Sequence, residues 1–167
     1  MNRSNSATRS PLPIRGSHRW ETLALGNFAE TQYGISVNTS PNSTIPIIGL
    51  RNLQNGEVDV RNLEFAEVSQ EDLQKYLLRD RDLLFNRTNS KELVGKTSLF
   101  RLPGNRQFVF ASYLVRISVD RSVMSPEFLC YFMQTSGASA FLRSIATPGV
   151  SQYNINPTSL AKKLLVP

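Results

Sequence analysis

Cysteine and histidine are nearly missing from this chain of 167 residues, which has one of each. With Cys130 alone, no disulfide can close within the chain, and a cysteine-rich zinc site lacks ligands. Because His18 is the single histidine, a Ser-His-Asp triad is nearly excluded. Cys130 falls among apolar helix positions, which favours a place in the core over a role as nucleophile. The composition predicts no metal, no cofactor and no catalytic residue.

Long apolar runs are also missing. No stretch approaches the roughly 18 apolar residues that a membrane-spanning helix needs. The first residues lack the apolar core of a signal peptide. We therefore expect no membrane contact and a cytoplasmic protein.

The formal net charge of +6 is unevenly distributed. Residues 1–19 carry four arginines and no acid, and residues 1–18 are rich in Ser, Asn and Pro, so we predict a disordered basic tail over 1–18. Residues 19–167 have the length and the apolar content of a single domain. Within it, residues 79–106 hold seven cations against three carboxylates, which predicts one basic surface on the folded part.

Strand-like segments alternate with turn signals along most of the domain, and helix signals are fewer. The predicted strands cover 45–53, 63–69, 82–86, 97–102, 107–119 and 164–167. Residues 20–31 predict a short strand, a turn at Gly26-Asn27 and then a short helix. Further helices are predicted over 69–78, 125–135 and 137–147, the first two capped by Ser69 and Ser125. This order favours an α+β fold, with a twisted, mostly antiparallel or mixed sheet and short peripheral helices.

Two enzyme classes fit poorly. A metal-dependent nuclease needs converging acids and a lysine, but Glu92 and Lys96 are four residues apart across a glycine turn rather than two apart on a strand. Asn154-Ile155-Asn156-Pro157 resembles an amino-methyltransferase motif only superficially, and no Gly-x-Gly turn for S-adenosylmethionine accompanies it. We expect a protein that is not an enzyme.

The most polar segment follows the predicted strand 82–86 and lies within the basic region. Arginine and lysine can bind phosphate, and Asn, Ser and Thr can bind phosphate or base edges. The same Asn, Thr and Ser side chains can instead bond to their own backbone and fix a turn. The residues alone leave both alternatives open. The candidate contacts are Arg79, Arg81, Asn86, Arg87, Thr88, Asn89, Ser90, Lys91, Lys96, Arg101 and Arg106.

Four segments carry a resemblance to a known family. They are "DLLFNRTNSKELVGKTSLF" (82–100), "FVFASYLVRI" (108–117), "SPEFLCYFMQT" (125–135) and "GVSQYNINPTSLAKKLLVP" (149–167). In order and spacing they resemble the target recognition domain of type I restriction–modification specificity subunits. "WETLALGNFAE" (20–30) resembles the usual opening of that domain, so the resemblance covers nearly all of 20–167.

The resemblance implies a function. Such a domain binds one half of a split double-stranded DNA target, without being a catalyst itself. Its partners are methyltransferase subunits, which modify adenine with S-adenosylmethionine, and an ATP-dependent restriction subunit. The chain would then be a natural half-subunit, a fragment of a subunit or an isolated domain, with a second target recognition domain or a homodimer partner. A different hypothesis is a protein-interaction module that docks a methyltransferase subunit through apolar C-terminal helices and hardly binds DNA alone.

The resemblance also assigns roles within the chain. Because members that read different DNA sequences share the "NRTNS"-like run, we expect it to grip the backbone or shape its loop. Base readout is expected from 30–44, the Asn55-Gly56 region and 101–107. Gln152, Tyr153 and Asn154 either contact DNA or form a polar turn. The family usually has glycine where Arg81 stands, so Arg81 is either mildly strained at positive φ or part of a different turn that adds a phosphate contact.

Overall fold

The structure is a computed structural model that describes residues 21–167. The predicted tail, 1–18, and His18 lie outside this range. The strands are β1 Leu23–Ala24, β2 Ala29–Tyr33, β3 Ile45–Ile48, β4 Leu53–Gln54, β5 Glu57–Val58, β6 Glu64–Ala66, β7 Leu83–Asn86, β8 Thr88–Asn89, β9 Thr97–Leu99, β10 Val109–Phe110, β11 Leu114–Val119, β12 Thr147–Pro148, β13 Tyr153–Asn154 and β14 Leu165–Val166. The helices are α1 Gln70–Tyr76, α2 Pro126–Gln134, α3 Ser136–Ile145 and α4 Pro157–Lys163. Two short 3-10 turns cover Leu25–Asn27 and Leu50–Asn52.

Six strands form the largest sheet, in the order β2-β11-β7-β9-β5-β4. The neighbours of β7 run antiparallel to it, with Phe85 opposite Val115 on β11 and Thr97 on β9. All four residues of β7 are buried, because this strand is covered on both faces. Three smaller sheets complete the fold, and the expected α+β class with mixed strand directions is confirmed.

The two faces of the large sheet pack against different layers. On one face, Phe85, Val115 and Ile117 form a core with the apolar sides of the C-terminal helices. On the other face, Leu84 and Leu114 pack with residues that include Phe100, Phe108 and Phe110. The alternation of buried side chains along β7 and β11 therefore places the sheet between two apolar layers.

The local helix signals are confirmed. Ser69 Oγ accepts a hydrogen bond from the Asp72 N–H at 3.1 Å, and Ser125 Oγ accepts one from the Phe128 N–H at 3.3 Å. Cys130 is buried, 3% exposed, and burial raises the pKa of its thiol to about 11. The core place predicted for Cys130 is thus confirmed, whereas Phe128 on the same helix is 43% exposed.

Three sequence predictions of secondary structure are wrong. The continuous strand expected over 45–53 is interrupted by the 3-10 turn Leu50–Asn52, and β3 and β4 on either side of it belong to different sheets. The helix expected after Gly26-Asn27 is instead the edge strand β2, because its residues pair along β11 from Ala29 to Tyr33. The continuous strand expected over 107–119 is interrupted between β10 and β11. There the chain changes sheets, because β10 pairs with β3 while β11 joins the large sheet.

The first and last strands of the described range pair with each other. Leu23 lies opposite Val166 in an antiparallel pair, and the Leu25 N–H donates to the Leu164 carbonyl at 2.9 Å. The predicted final strand is thereby confirmed in β14. Within residues 21–167, no helix combines the length and apolarity needed to cross a bilayer.

Candidate nucleic-acid interface

The basic region of the sequence is divided by the fold. Arg81 lies just before β7 and Arg87 just after it, so the strand separates them by about 15–20 Å. Because β9 is antiparallel to β7, Lys96 lies at the end of the sheet near Arg87 and Arg101 at the end near Arg81. We call these the Arg87 end and the Arg81 end. Residues 79–106 thus do not form the single basic surface that their proximity in sequence suggested.

At the Arg81 end the arginines are accompanied by carboxylates. Glu127, at the start of α2, lies 3.3 Å from Arg81 Nε and 3.9 Å from Arg101 Nη1. Arg101 Nε is also 3.4 Å from Glu57, and Arg81 Nε is 3.8 Å from Asp80. These pairs reduce the positive charge that the arginines can offer to an anionic ligand.

Asp82 at this end is part of the protein's framework. Its carboxylate accepts hydrogen bonds from the Arg79 N–H at 2.8 Å and the Ser118 hydroxyl at 2.8 Å. Arg116 Nε lies 4.0 Å away, and Arg116 also donates to the Leu77 carbonyl at 2.5 Å. Burial raises the pKa of Asp82 and lowers that of Arg116. Asp82 therefore joins the segment between α1 and β7 to β11 rather than meeting a ligand.

Arg81 has a left-handed backbone with φ of 69°. Of the two alternatives for this position, the structure supports the strained one, because a side chain at this φ is unfavourable for any residue but glycine. Its side chain faces Glu127.

Asn86, at the other end of β7, is also structural. It is 2% exposed, and its amide donates to the Leu93 carbonyl at 3.1 Å while Oδ1 accepts from the Thr88 N–H at 3.3 Å. Its backbone accepts from the Gly95 N–H and donates to the Lys96 carbonyl, both at 2.8 Å. These bonds shape the loop from 87 to 96, so we leave Asn86 out of the proposed contacts.

The residues after Asn86 meet the C-terminal polar segment. Short strand β8 pairs with β13, with Asn89 opposite Tyr153 and Thr88 opposite Asn154. The Thr88 hydroxyl donates to Asn154 Oδ1 at 2.6 Å. Tyr153 and Asn154 are half-buried and Gln152 is exposed. The structure thus brings together two groups of candidates that the sequence could not connect.

Aromatic rings accompany the cations at this end. The Arg87 guanidinium lies 4.9 Å from the centre of the Tyr33 ring, and Lys91 Nζ lies 5.8 Å from that of Tyr153. Tyr33 is 46% exposed. Among the described residues, Arg87, Lys91 and Lys96 form no ion pair with a carboxylate. We call Tyr33, Arg87, Thr88, Asn89, Lys91, Tyr153 and Asn154 the Arg87 surface; exposed Ser90 and Lys96 border it.

Arg106 lies at neither the Arg87 end nor the Arg81 end of the sheet. It lies 5.4 Å from the ring centre of Phe65 on β6, and the Ser40 N–H donates to the Phe65 carbonyl at 2.9 Å. Phe65 therefore joins two of the segments expected to read bases, 101–107 and 30–44. The second of these contains Tyr33 of the Arg87 surface and is bonded to Phe65 at Ser40.

Sequence reasoning missed the partnership of Tyr33 with Arg87. The only signal in the sequence was a tyrosine directly before a glycine, Gly34. In the structure, a Cβ on Gly34 would lie 2.2 Å from the Ala111 carbonyl oxygen. Such close contact marks a fixed backbone, but it does not reveal what packs beside the tyrosine ring. Over residues 21–167, no group of three or more His, Cys, Asp or Glu side chains is arranged to hold a metal ion.

The curated proteins that this sequence matches are specificity subunits of type I restriction enzymes. Over 152 residues, or 89% of this chain, the sequence is 27% identical to a putative type I restriction enzyme MjaX specificity subunit of Methanocaldococcus jannaschii. Over 104 residues, or 61% of the chain, it is 29% identical to the type I restriction enzyme EcoKI specificity subunit of Escherichia coli K12. The chain resembles type I restriction specificity subunits. No family model matches it.

Solved specificity subunits share the fold. The HsdS subunit of Thermoanaerobacter tengcongensis has a TM-score of 0.62 at 15% identity, covering 93% of this chain and 34% of its own. The S subunit of M. genitalium has a TM-score of 0.58 at 13% identity, covering 92% of this chain and 35% of its own. The chain spans about a third of the length of the MjaX subunit, 35%, and 22% of EcoKI's. The resemblance to specificity subunits is confirmed, and these names agree with a specificity component rather than a catalyst.

Proposed function

We propose that this chain is a target recognition domain that binds duplex DNA through the Arg87 surface. In a type I complex it would direct adenine methylation and restriction to one half of a bipartite target. The catalytic work would belong to a methyltransferase subunit and an ATP-dependent restriction subunit. The observation that carries the proposal is the Arg87 surface itself, where Arg87 and Lys91 lie near tyrosine rings and no carboxylate among residues 21–167 is paired with them.

The chemistry of this surface suits a DNA backbone. Arg87 and Lys91 can neutralise phosphates and release counterions, and the side-chain amide N–H groups of Asn89 and the hydroxyl of Ser90 can bind phosphate oxygens. Such contacts fix position without reading sequence. The polar groups of Gln152 lie next to Tyr153 and could extend the contact along the same strand.

Base readout, in this proposal, comes mainly from residues 34–44. This segment leaves β2 beside the Arg87 surface and is bonded through Ser40 to Phe65, whose ring lies 5.4 Å from the Arg106 guanidinium. A surface that grips phosphates at one end of such a loop would hold the loop against the neighbouring base edges. Arg81 and Arg101, which are paired with Glu127, contribute less in this proposal.

Binding of a random-sequence duplex tests the proposal directly. We expect a complex at micromolar protein and low salt, measured by fluorescence anisotropy or gel retardation, whose affinity falls steeply as salt is raised. Absence of binding under these conditions would reject the Arg87 surface as a DNA contact.

One observation favours a second candidate function, a module that docks a methyltransferase subunit. The outer side of α2 and the turn before it expose Val123, Phe128 and Tyr131, which are 51%, 43% and 69% exposed. Exposed apolar side chains in one region are a common feature of protein contacts. If DNA is not bound while a methyltransferase subunit is captured, and Phe128→Ser abolishes capture, the second function replaces the first.

A further inference from the structure

Arg87 is held by the adjacent Thr88 and by three other parts of the chain. Its N–H donates to the Tyr113 carbonyl at 3.3 Å, and its own carbonyl accepts from the Ile155 N–H at 2.8 Å. Its Nη1 donates to the Thr88 hydroxyl at 3.1 Å, and its guanidinium lies over Tyr33. The two backbone bonds fix the point from which the side chain extends. An arginine side chain at a protein surface usually keeps much rotational freedom, and the contacts to Thr88 and Tyr33 restrict it.

The way in which Arg87 is held leaves its charge available. Arg81 and Arg101 lie beside the Glu127 carboxylate, which offsets part of their charge. A tyrosine ring attracts the guanidinium but carries no net charge, and the Thr88 hydroxyl is neutral. Arg87 is therefore ordered without being neutralised.

The guanidinium also has donors without partners. Its Nε is buried and bonds to no described residue, and no hydrogen bond from Nη2 to a described residue is found. Because Nε is enclosed, an incoming anionic oxygen would bind at Nη2, and a partly desolvated guanidinium gains more from such a bond than a fully hydrated one does.

Tyr33 is itself in a fixed place. It pairs with Val115 at the end of β2, and the next residue, Gly34, is packed against the Phe110 and Ala111 carbonyls. The Gly34 N–H donates to the Leu114 carbonyl at 3.1 Å. The backbone on both sides of the ring is thereby anchored to the large sheet.

From these contacts we infer that Tyr33 is a positioning residue, whose ring orders the Arg87 guanidinium in advance for a DNA phosphate. The inference rests on the proposed function and deepens it. Pre-ordering lowers the entropy lost on binding, so the ring raises affinity through Arg87 without adding a charge. The loss of the ring and the loss of the arginine should therefore differ in their salt dependence.

A double-mutant cycle tests this inference, using Tyr33→Leu, Arg87→Ala and the double variant with a random-sequence duplex at several salt concentrations. Tyr33→Leu should weaken binding about three- to fivefold, as expected for a lost cation–π contact, with an unchanged slope of log affinity against log salt. Arg87→Ala should lower that slope by about 0.9. In the Arg87→Ala protein, Tyr33→Leu should have no further effect.

Tyr33→Phe is the matched control, since it keeps the ring and should bind within about twofold of the parent protein. Thermal unfolding checks that each variant is folded, and Tyr33→Thr, which places a good strand residue there, replaces the leucine variant if that one is unstable.

A full effect of Tyr33→Leu in the Arg87→Ala protein would overturn the inference, because the ring would then touch DNA itself. A loss in Tyr33→Phe as large as in Tyr33→Leu would overturn it too. If the parent protein does not bind, the proposed function fails first and the inference falls with it.

Discussion

The side-chain amide of Asn86 donates a hydrogen bond to the backbone carbonyl of Leu93, at 3.1 Å, across the base of the loop that carries Arg87 and Lys91. Gly95 and Lys96 complete the closure through the backbone of the same asparagine. A buried polar side chain with these partners organises a loop, and it makes the position of the cations depend on a residue that does not itself reach the surface.

Replacing Asn86 with Ala should therefore lower the free energy of unfolding by about 1–3 kcal/mol, because the Leu93 carbonyl loses its buried donor. Chemical denaturation measures the change. Asn89→Ala is the control, since Asn89 is only partly buried and its one side-chain bond is to the adjacent Ser90 N–H. Equal losses in the two variants would contradict the structural role of Asn86.

The positive φ of Arg81 predicts which of two substitutions gives the more stable protein. Arg81→Gly and Arg81→Ala both lose the Glu127 contact, but only alanine keeps a side chain at φ of 69°. The glycine variant should be more stable by about 1 kcal/mol. At Arg79, whose φ is not positive, the order should reverse, with alanine at least as stable as glycine. The same order at both positions would show that backbone strain at Arg81 is negligible.

Two glycines should respond in opposite ways to alanine. At Gly34 a Cβ would lie 2.2 Å from a backbone oxygen, so Gly34→Ala requires β2 or the 110–111 backbone to shift and should lower the melting temperature strongly. At Gly137, near the start of α3, a Cβ meets nothing within 4 Å. Gly137→Ala should stabilise the protein by about 0.5–1 kcal/mol through helix propensity. A neutral Gly34→Ala would contradict the close packing of β2.

Asp82 predicts a pH dependence of stability. Burial raises its pKa in the folded protein, so the protonated form is favoured there. Its contribution to stability is present below the ordinary aspartate pKa of about 3.9 and is lost as the pH rises through the higher folded value. The stability of the parent protein minus that of Asp82→Asn should therefore fall as the pH rises through this window. A rising difference would mean that Arg79, Ser118 and Arg116 outweigh burial and lower the pKa instead.

The sequence predicted what local chemistry determines. Ser69 and Ser125 cap the expected helices because a cap depends on residues three positions away. The strand 82–86 and the buried Cys130 followed from apolar runs in the same way. The positive φ at Arg81 was one of two alternatives, and its basis was the glycine usual in the family.

What the sequence could not predict depends on contacts between distant residues. Thr88 and Asn154 are 66 positions apart, and nothing local shows that β8 and β13 pair. The same holds for Tyr33 and Arg87, which come together only because β2 and β7 both flank β11. The prediction of one basic surface over residues 79–106 was wrong for a related reason. Arg81 and Arg87 are close in sequence, but the four-residue strand β7 places them at opposite ends of the sheet.

Charge removal at the two ends of β7 tests the central claim most directly. Arg87→Ala with Lys91→Ala removes two cations from the Arg87 end, and Arg81→Ala with Arg101→Ala removes two from the Arg81 end, so net charge changes equally. Affinity for a random-sequence duplex should fall far more in the first double variant, and the slope of log affinity against log salt should be lowered by about 1.8. In the second double variant, the affinity and the slope should both change little. Equal losses, or a larger loss at the Arg81 end, would contradict the placement of the DNA contact on the Arg87 surface.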